Sequence, residues 1–412
     1  MSAPLDLRRS WDVIIIGGRV AGASTALLLA RAGVRVLVVE RARRGSDTVS
    51  THALMRGGVL QLHRWGVLDR VAATGAPPIR RVTFHYGRDS MPVTLKPYAG
   101  VDALYAPRRT VLDALLVGAA EEAGARFGFG LAMTDVARDR AGRVVGAVVR
   151  DQLGATWTER VGLVVGADGR SSLVATQVGA PTVVAGGHAA AYVYGYWPAA
   201  DLDGYHWYYG DGLSAGVIPT NDGLACVFAA GPAAVLAARM RHSRPLDAAR
   251  ELLVRIDCRL TDLTRGAPLG PVRFFRGLPA RLRRPHGPGW ALVGDAGWWK
   301  DPLSTYGITD AFRDAERCAT ALDDAMSGAR PFDEAMGEYQ STRDEHALPM
   351  FEFTCQLATL EPPPPEMQQL LGAMQGNQEA MDGFARVNAG VTSPAEFFAA
   401  ENVARIFAAA SR

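Results

Sequence analysis

Apolar residues run unbroken from Val13 to Ile16 and, after a glycine cluster, resume with helical spacing in "TALLLARAG"; a second unbroken run, "VRVLVVE", follows at 34–40. Continuous β-branched runs of this length predict parallel strands buried on both faces, and the stretch between them predicts a helix at about 21–32. Residues 52–71 predict a helix with a glycine interruption, and 108–124 a stronger amphipathic one. Between these helices "RRVTFHYGRDSMPVTL" alternates apolar and polar positions like an antiparallel hairpin. A longer alternating block from about 188 to 231 predicts a sheet meander with aromatics on one face. Apolar runs at 145–150 and 162–167 predict strands that complete the first domain in pieces. From 341 onward the pattern is helical, interrupted at 361–365 by "EPPPP", a stiff extended connector.

This order predicts an α/β fold. A Rossmann-like nucleotide domain is built from 10–75, 101–180 and 281–340. It is interleaved with an α+β, antiparallel-sheet substrate lobe from 76–100 and 181–280, and a helical tail follows over 341–412. At 412 residues and 48% hydrophobic content the chain can bury a large core in two lobes. The formal net charge of +2 arises from mixed signs without a basic stripe, which argues against a nucleic-acid partner. Lys96 and Lys300 are the two lysines; the remaining cations are arginines. The apolar run behind "MSAPLDLRRSW" is cut short at Gly17, too soon for a signal peptide, and no window is long enough to span a bilayer. Cys226, Cys258, Cys318 and Cys355 stand far apart, as buried thiols of a cytoplasmic protein would, and suggest neither disulfides nor a metal site.

The chemistry starts at "DVIIIGGRVAGAS", residues 12–24. A strand feeding a glycine turn and then a helix holds a pyrophosphate on the helix's unpaired N–H groups. Gly17, Gly18, Arg19, Ala21 and Gly22 form the turn, with Arg19 where the middle glycine of G-x-G-x-x-G belongs. Glu40, with Arg41 beside it, ends the second strand about 20 residues on, where an acid accepts ribose hydroxyls. "LVVGADGRSS" at 163–172 ends another strand in Gly-Ala-Asp-Gly, presenting Asp168. "WALVGDAGWWKDPLSTYGITDAF" repeats the device with Gly294-Asp295, a Pro302-to-Gly307 loop and a helix beginning near Thr309, whose first turn aims free N–H groups at whatever lies above the loop.

These three motifs, in this order, resemble the p-hydroxybenzoate-hydroxylase-like flavoprotein superfamily over residues 12 to about 325. The resemblance implies FAD, with the first motif on its ADP, Asp295 on the ribityl chain, and Pro302, Gly307 and Ile308 at the N1–C2=O edge of the isoalloxazine. It also implies cofactor contacts for Asp168, for Arg109 in R-x-x-L and for Arg56 near the pyrophosphate or ribose. The Arg19 turn resembles the branch near geranylgeranyl reductases, and an outward-pointing Arg19 would neutralise pyrophosphate. With one dinucleotide fingerprint visible, electrons come either from NAD(P)H visiting transiently or from a separate flavin reductase.

The implied activity is an FAD-dependent monooxygenase that moves one oxygen atom from O2, through a flavin C4a-hydroperoxide, into a hydrophobic aromatic or polyketide-like small molecule. A reductase or dehydrogenase without oxygenation remains the alternative, as does halogenation. Against halogenation, Ser214 and Gly216 stand where W-x-W-x-I-P has its tryptophans, although "DPLSTYG" resembles the halogenase loop. Gly212 to Gly216 matches the hydrolase elbow G-x-S-x-G but runs on as strand, not helix. The aromatic sheet predicts substrate contacts at Tyr192, Tyr194, Tyr196, His206 and Tyr208, of which alternation lets only half point inward. His52 and Tyr306 are the candidate catalytic polar groups.

Overall fold

The computed structural model describes residues 11–199, 201–210, 212–361, 364–388 and 392–410. The stretch read for a leader and part of the proline-rich connector at 361–365 lie outside the described residues.

A six-stranded sheet runs in the order His286–Gly287, Trp290–Leu292, Leu163–Gly166, β1 (Val13–Ile16), β2 (Val36–Glu40), Arg126–Phe129. β1 lies parallel to both β2 and Leu163–Gly166, and the latter lies parallel to Trp290–Leu292. Side chains alternate between the faces of this sheet. Val13 and Ile15 pack under the helices Val20–Arg31, Arg109–Glu122 and Gly307–Met326; Ile14 and Ile16 face the other way, onto Val144, Ala147 and Val149. Both faces are therefore apolar, which is why the runs show no period of two. Four neighbouring parallel strands end at one edge, and that edge carries Gly17, Glu40, Asp168 and Asp295.

The apolar run at 145–150 is a strand, Val144–Arg150, which lies outside the parallel sheet in a three-stranded antiparallel sheet with Ala132–Arg138 and Thr156–Arg160. That sheet covers the face of the parallel sheet that helices leave open. Residues 52–55 precede their helix instead of opening it. The helix runs Arg56–Arg64, and a short Leu68–Ala72 helix follows after Gly66 at φ 67°.

The second lobe is a seven-stranded sheet ordered Arg273–Phe275, Ala190–Pro198, Leu224–Pro232, Leu213–Pro219, Tyr205–Gly210, Arg81–Tyr86, Asp89–Thr94. Its two chain segments meet in a parallel pairing of Tyr205–Gly210 with Arg81–Tyr86, so the lobe is not wholly antiparallel. The tail boundary expected at 341 falls inside a continuous helix, Phe332–Leu357. Beyond it, Leu370, Met374, Phe384, Phe397 and Ile406 form a satellite core that sits on the hairpin, through Phe384 against Phe84 and Lys96 paired with Asp382. Cys226 and Cys318 are buried as expected, whereas Cys258 is exposed. No described helix is long and apolar enough to cross a membrane.

Candidate cofactor and substrate site

A cavity of about 440 Å³ follows the carboxyl edge of the parallel sheet. At one end lies the amino terminus of Val20–Arg31, which has no side-chain cap and no acid in its first turn, so its N–H groups are left for a ligand. Close packing brings the motifs together. Gly17 sits at φ 105°, where a Cβ would stand 2.4 Å from the Ala167 carbonyl oxygen, and a Cβ on Gly294 would come 2.9 Å from the Ala21 methyl. Arg19 does not obstruct the turn. Its guanidinium is held by Asp113 at 3.1 Å and by the carbonyls of Ser46 and Asp47, and it lines the cavity. Arg109 shares Asp113 and lines the same wall, so one carboxylate holds two cations.

The three expected acids are used differently. Glu40 accepts the Gly18 and Ala42 N–H groups at 2.8 Å each, which locks the turn onto the end of β2. Asp168 accepts from Ser172 Oγ and from the N–H groups of Leu173 and Val174, so its carboxylate caps a short helix. The Asp295 carboxylate has no hydrogen-bond partner among the described residues although it lines the cavity. Burial pushes it up to about 6, against the pull of Lys300, Arg170 and Arg109. Ala21, Arg41, Pro302, Gly307 and Ile308 also line the cavity. Gly18 and Gly22 instead serve packing, one through Glu40 and the other against the Gly17 carbonyl.

His52 lines the cavity at φ 50°, a left-handed backbone rare for histidine. Its Nε2 lies 3.0 Å from the Tyr196 hydroxyl. Burial, followed by the charge of Arg109, holds the ring down to about 3, so it is neutral. The Tyr194 hydroxyl oxygen accepts the Ser50 N–H at 3.2 Å. Tyr192 donates to Asp301, which also accepts the Ala190 N–H at 2.7 Å and fastens the Pro302-to-Gly307 loop to the second sheet. Tyr192 and Tyr194 line the cavity.

His206, Tyr208, Tyr306 and Arg56 lie elsewhere, and Tyr196 stands behind His52, off the cavity wall. His206 and Tyr208 point to the outer face, where both stack with His85, because the register of Tyr205–Gly210 turns its odd-numbered residues inward. Trp207 and Tyr209 take their place inside. Tyr306 is buried, its hydroxyl donating to the Val387 carbonyl at 2.9 Å, so it ties the tail to the body. Arg56 is buried outside the cavity on the side of Arg386, so it does not reach the pyrophosphate end. Sequence reasoning passed over Arg170, Phe275, Trp299, Lys300 and Asp301 as cavity residues. Arg170 lies inside the Ala-Asp-Gly motif and Trp299, Lys300 and Asp301 inside the Gly-Asp motif, whereas Phe275 carries no sequence signal.

A second, apolar hollow of about 30 Å³ opens across the loop, bounded by Met55, Phe84, Leu104, Trp207, Tyr209 and Leu303, and it shares Thr305 with the large cavity.

The neutral state of His52 has a measurable consequence. Its folded value lies below the ordinary 6.5, so between pH 6.5 and about 3 the unfolded chain binds the extra proton and stability falls as pH falls. In urea denaturation from pH 6.5 to 4.5, His52→Asn is expected to lose stability less steeply, by up to about 1.4 kcal/mol per pH unit. Asparagine tolerates the left-handed backbone. Parallel slopes for the two proteins would show that His52 is charged in the folded state.

The unpartnered Asp295 carboxylate and the two uncapped helix amino termini leave acceptors and donors where a dinucleotide's ribityl hydroxyls and phosphates need them, so the residues present fit FAD. The comparisons agree. Protein FixC of Salmonella typhi is 32% identical over 192 residues, which is 44% of this chain and 41% of that protein, so the match spans about two fifths of that relative. The flavin-dependent brominase Bmp2 superposes with a TM-score of 0.78 at 18% identity, covering 98% of both chains. PqsL of Pseudomonas aeruginosa, described as a probable FAD-dependent monooxygenase, superposes with a TM-score of 0.70 at 23% identity, covering 92% of this chain and 99% of PqsL. Residues 10–354 match the FAD binding domain family, to which this chain therefore belongs.

Proposed function

We propose that the protein is a monooxygenase that transfers one oxygen atom from O2 to a flat, uncharged, hydrophobic small molecule. The observation that carries this reading is the aromatic wall of Tyr192, Tyr194 and Phe275 that the second sheet gives the large cavity, continued across Thr305 by the small apolar hollow. The walls of the hollow are aliphatic and aromatic, and burial pushes the Tyr209 phenol up, so that it stays neutral. A reaction with reduced flavin and O2 needs such a chamber, because water and stray protons divert it.

When bound, FAD supplies the electron transfer and the reaction with O2. The chain's own residues hold the cofactor along the carboxyl edge, exclude water and fix the substrate against the sheet. His52, neutral and hydrogen-bonded to Tyr196, is the group at the cavity able to pass a proton between an acceptor and that hydroxyl. A transient nicotinamide or a separate flavin reductase supplies the electrons, since the described fold has one dinucleotide cradle.

A further relative, the probable electron transfer flavoprotein-quinone oxidoreductase YdiS of Escherichia coli, 33% identical over 151 residues that make up 35% of this chain and 34% of that protein, favours a second reading, an oxygen-independent reductase or dehydrogenase. Halogenation finds less support, because Lys96 is 81% exposed and paired with Asp382 and Lys300 is paired with Asp310, so neither lysine is free at the apolar hollow. One experiment separates the three. FAD-loaded protein is reduced with NADH or NADPH, or with dithionite, and mixed with 18O2, bromide and a panel of apolar aromatic compounds. A product carrying one 18O atom supports the proposal. Brominated product, or unlabelled product with only hydrogen peroxide formed, overturns it in favour of the halogenase or the reductase.

A further inference from the structure

Lys300 is one of two lysines in a chain whose other cations are arginines, and it is 7% exposed at the wall of the cofactor cavity. Its ammonium pairs with Asp310 and lies 4.4 Å from the centre of the Trp298 ring. Asp310 belongs to the first turn of Gly307–Met326 and lines the cavity too, and its other oxygen lies 3.8 Å from Arg313. His346, in contact with Arg313, is held down to about 4 by burial and is neutral. Lys300, Arg313 and the Asp310 carboxylate thus stand together at the amino-terminal turn of a 20-residue helix whose dipole adds positive potential of its own.

A buried ion pair is weak evidence for stability, because a packed apolar pair of the same volume often serves the fold as well. What a buried pair does do is hold charge in a low-dielectric place where it is felt strongly. The effect reaches the other wall, since Lys300 offers the largest opposition to the upward push on Asp295. Taking up two electrons and one proton, an oxidised flavin ring gains one negative charge. A fixed positive cluster at the cavity wall favours that state.

Resting on the FAD reading, we propose that Lys300, set against Asp310, is a positioning residue that fixes the reduction potential of the bound flavin. Removing Lys300 takes one positive charge from the cavity wall, and removing Asp310 takes one negative charge from it. The test is a charge ladder read on the FAD-loaded full chain, by equilibration with a reference dye and, separately, by affinity for sulfite, which adds to oxidised flavin and leaves it negatively charged.

Lys300→Met is expected to reduce the ratio of reduced to oxidised flavin at least tenfold at a given dye potential, about 30 mV for a two-electron couple, and to weaken sulfite binding in parallel. Asp310→Asn moves both in the opposite direction, and the double variant returns within threefold of the parent. A merely structural role would move both single variants the same way, which would overturn the proposal, as would no movement in either. If Lys300→Met does not fold, Asp310→Asn with the charge-keeping Lys300→Arg decides on the same criteria: the first raised, the second within threefold of the parent. Protein that takes up no FAD would sink the functional reading itself, whereas normal uptake with a potential indifferent to these charges sinks this inference alone.

Discussion

Asp295→Ala is expected to weaken FAD binding roughly 10- to 150-fold, the equivalent of about 1.5–3 kcal/mol for lost hydrogen bonds to a charged acceptor. Asp295 is the carboxylate at the cavity wall without a protein hydrogen-bond partner among the described residues, and it follows Gly294, whose φ of 57° turns the chain toward the helix Val20–Arg31. Deleting it frees no buried donor and opens no hole in the core, so folding is expected to be little changed. Asp168→Ala gives the contrast. That carboxylate is occupied by Ser172, Leu173 and Val174, so its removal uncaps a helix and costs stability first. Titration of apoprotein with FAD by fluorescence quenching, beside urea denaturation, checks both. Equal loss of affinity in the two variants would mean that Asp295 has no privileged contact with the cofactor.

The cofactor edge was readable in the sequence because close backbone approach demands glycine, and the parallel strands that deliver the motifs are continuous apolar runs. Gly17, Gly294 and the Asp residues after two strands leave signatures that no other backbone need produces as a set. The parity of a strand is harder to read when both faces are buried. Residues 205–209 read Tyr-His-Trp-Tyr-Tyr, and both faces of this strand carry aromatic rings, so composition could not say whether His206 or Trp207 faces the cofactor side. The register is set by the parallel pairing with Arg81–Tyr86, a contact about 120 residues distant in sequence. Tyr306 misled for a similar reason. Its place beside the loop was legible, but not that the tail would return to offer the Val387 carbonyl. Val144–Arg150 was apolar enough for the parallel sheet, and only the open face between Ile14 and Val39 explains why it lies across that sheet.

The second large effect concerns Gly22, where a rule of helix stability should reverse. An alanine replacing glycine inside a helix ordinarily stabilises by roughly 0.5–1 kcal/mol, because glycine loses more backbone freedom on folding. Gly337, inside Phe332–Leu357, should follow that rule, since an added Cβ there meets nothing within 4 Å. Gly22 should not. Its Cβ would stand 1.8 Å from the carbonyl oxygen of Gly17 and 3.2 Å from the Ala167 methyl, in a place where backbone, not a mobile side chain, must give way. The clash pushes the helix Val20–Arg31 away from the strand that feeds it and opens the turn proposed to hold the pyrophosphate. The expected cost is about 3 kcal/mol or more, with loss of FAD retention. Denaturation midpoints and flavin content of Gly22→Ala and Gly337→Ala, measured side by side, give opposite signs if the turn is as tightly closed as its geometry requires. A stable, yellow Gly22→Ala protein would mean that the first turn of that helix can slide along the sheet, and the pyrophosphate cradle would then have to be assembled by the ligand and not by the fold.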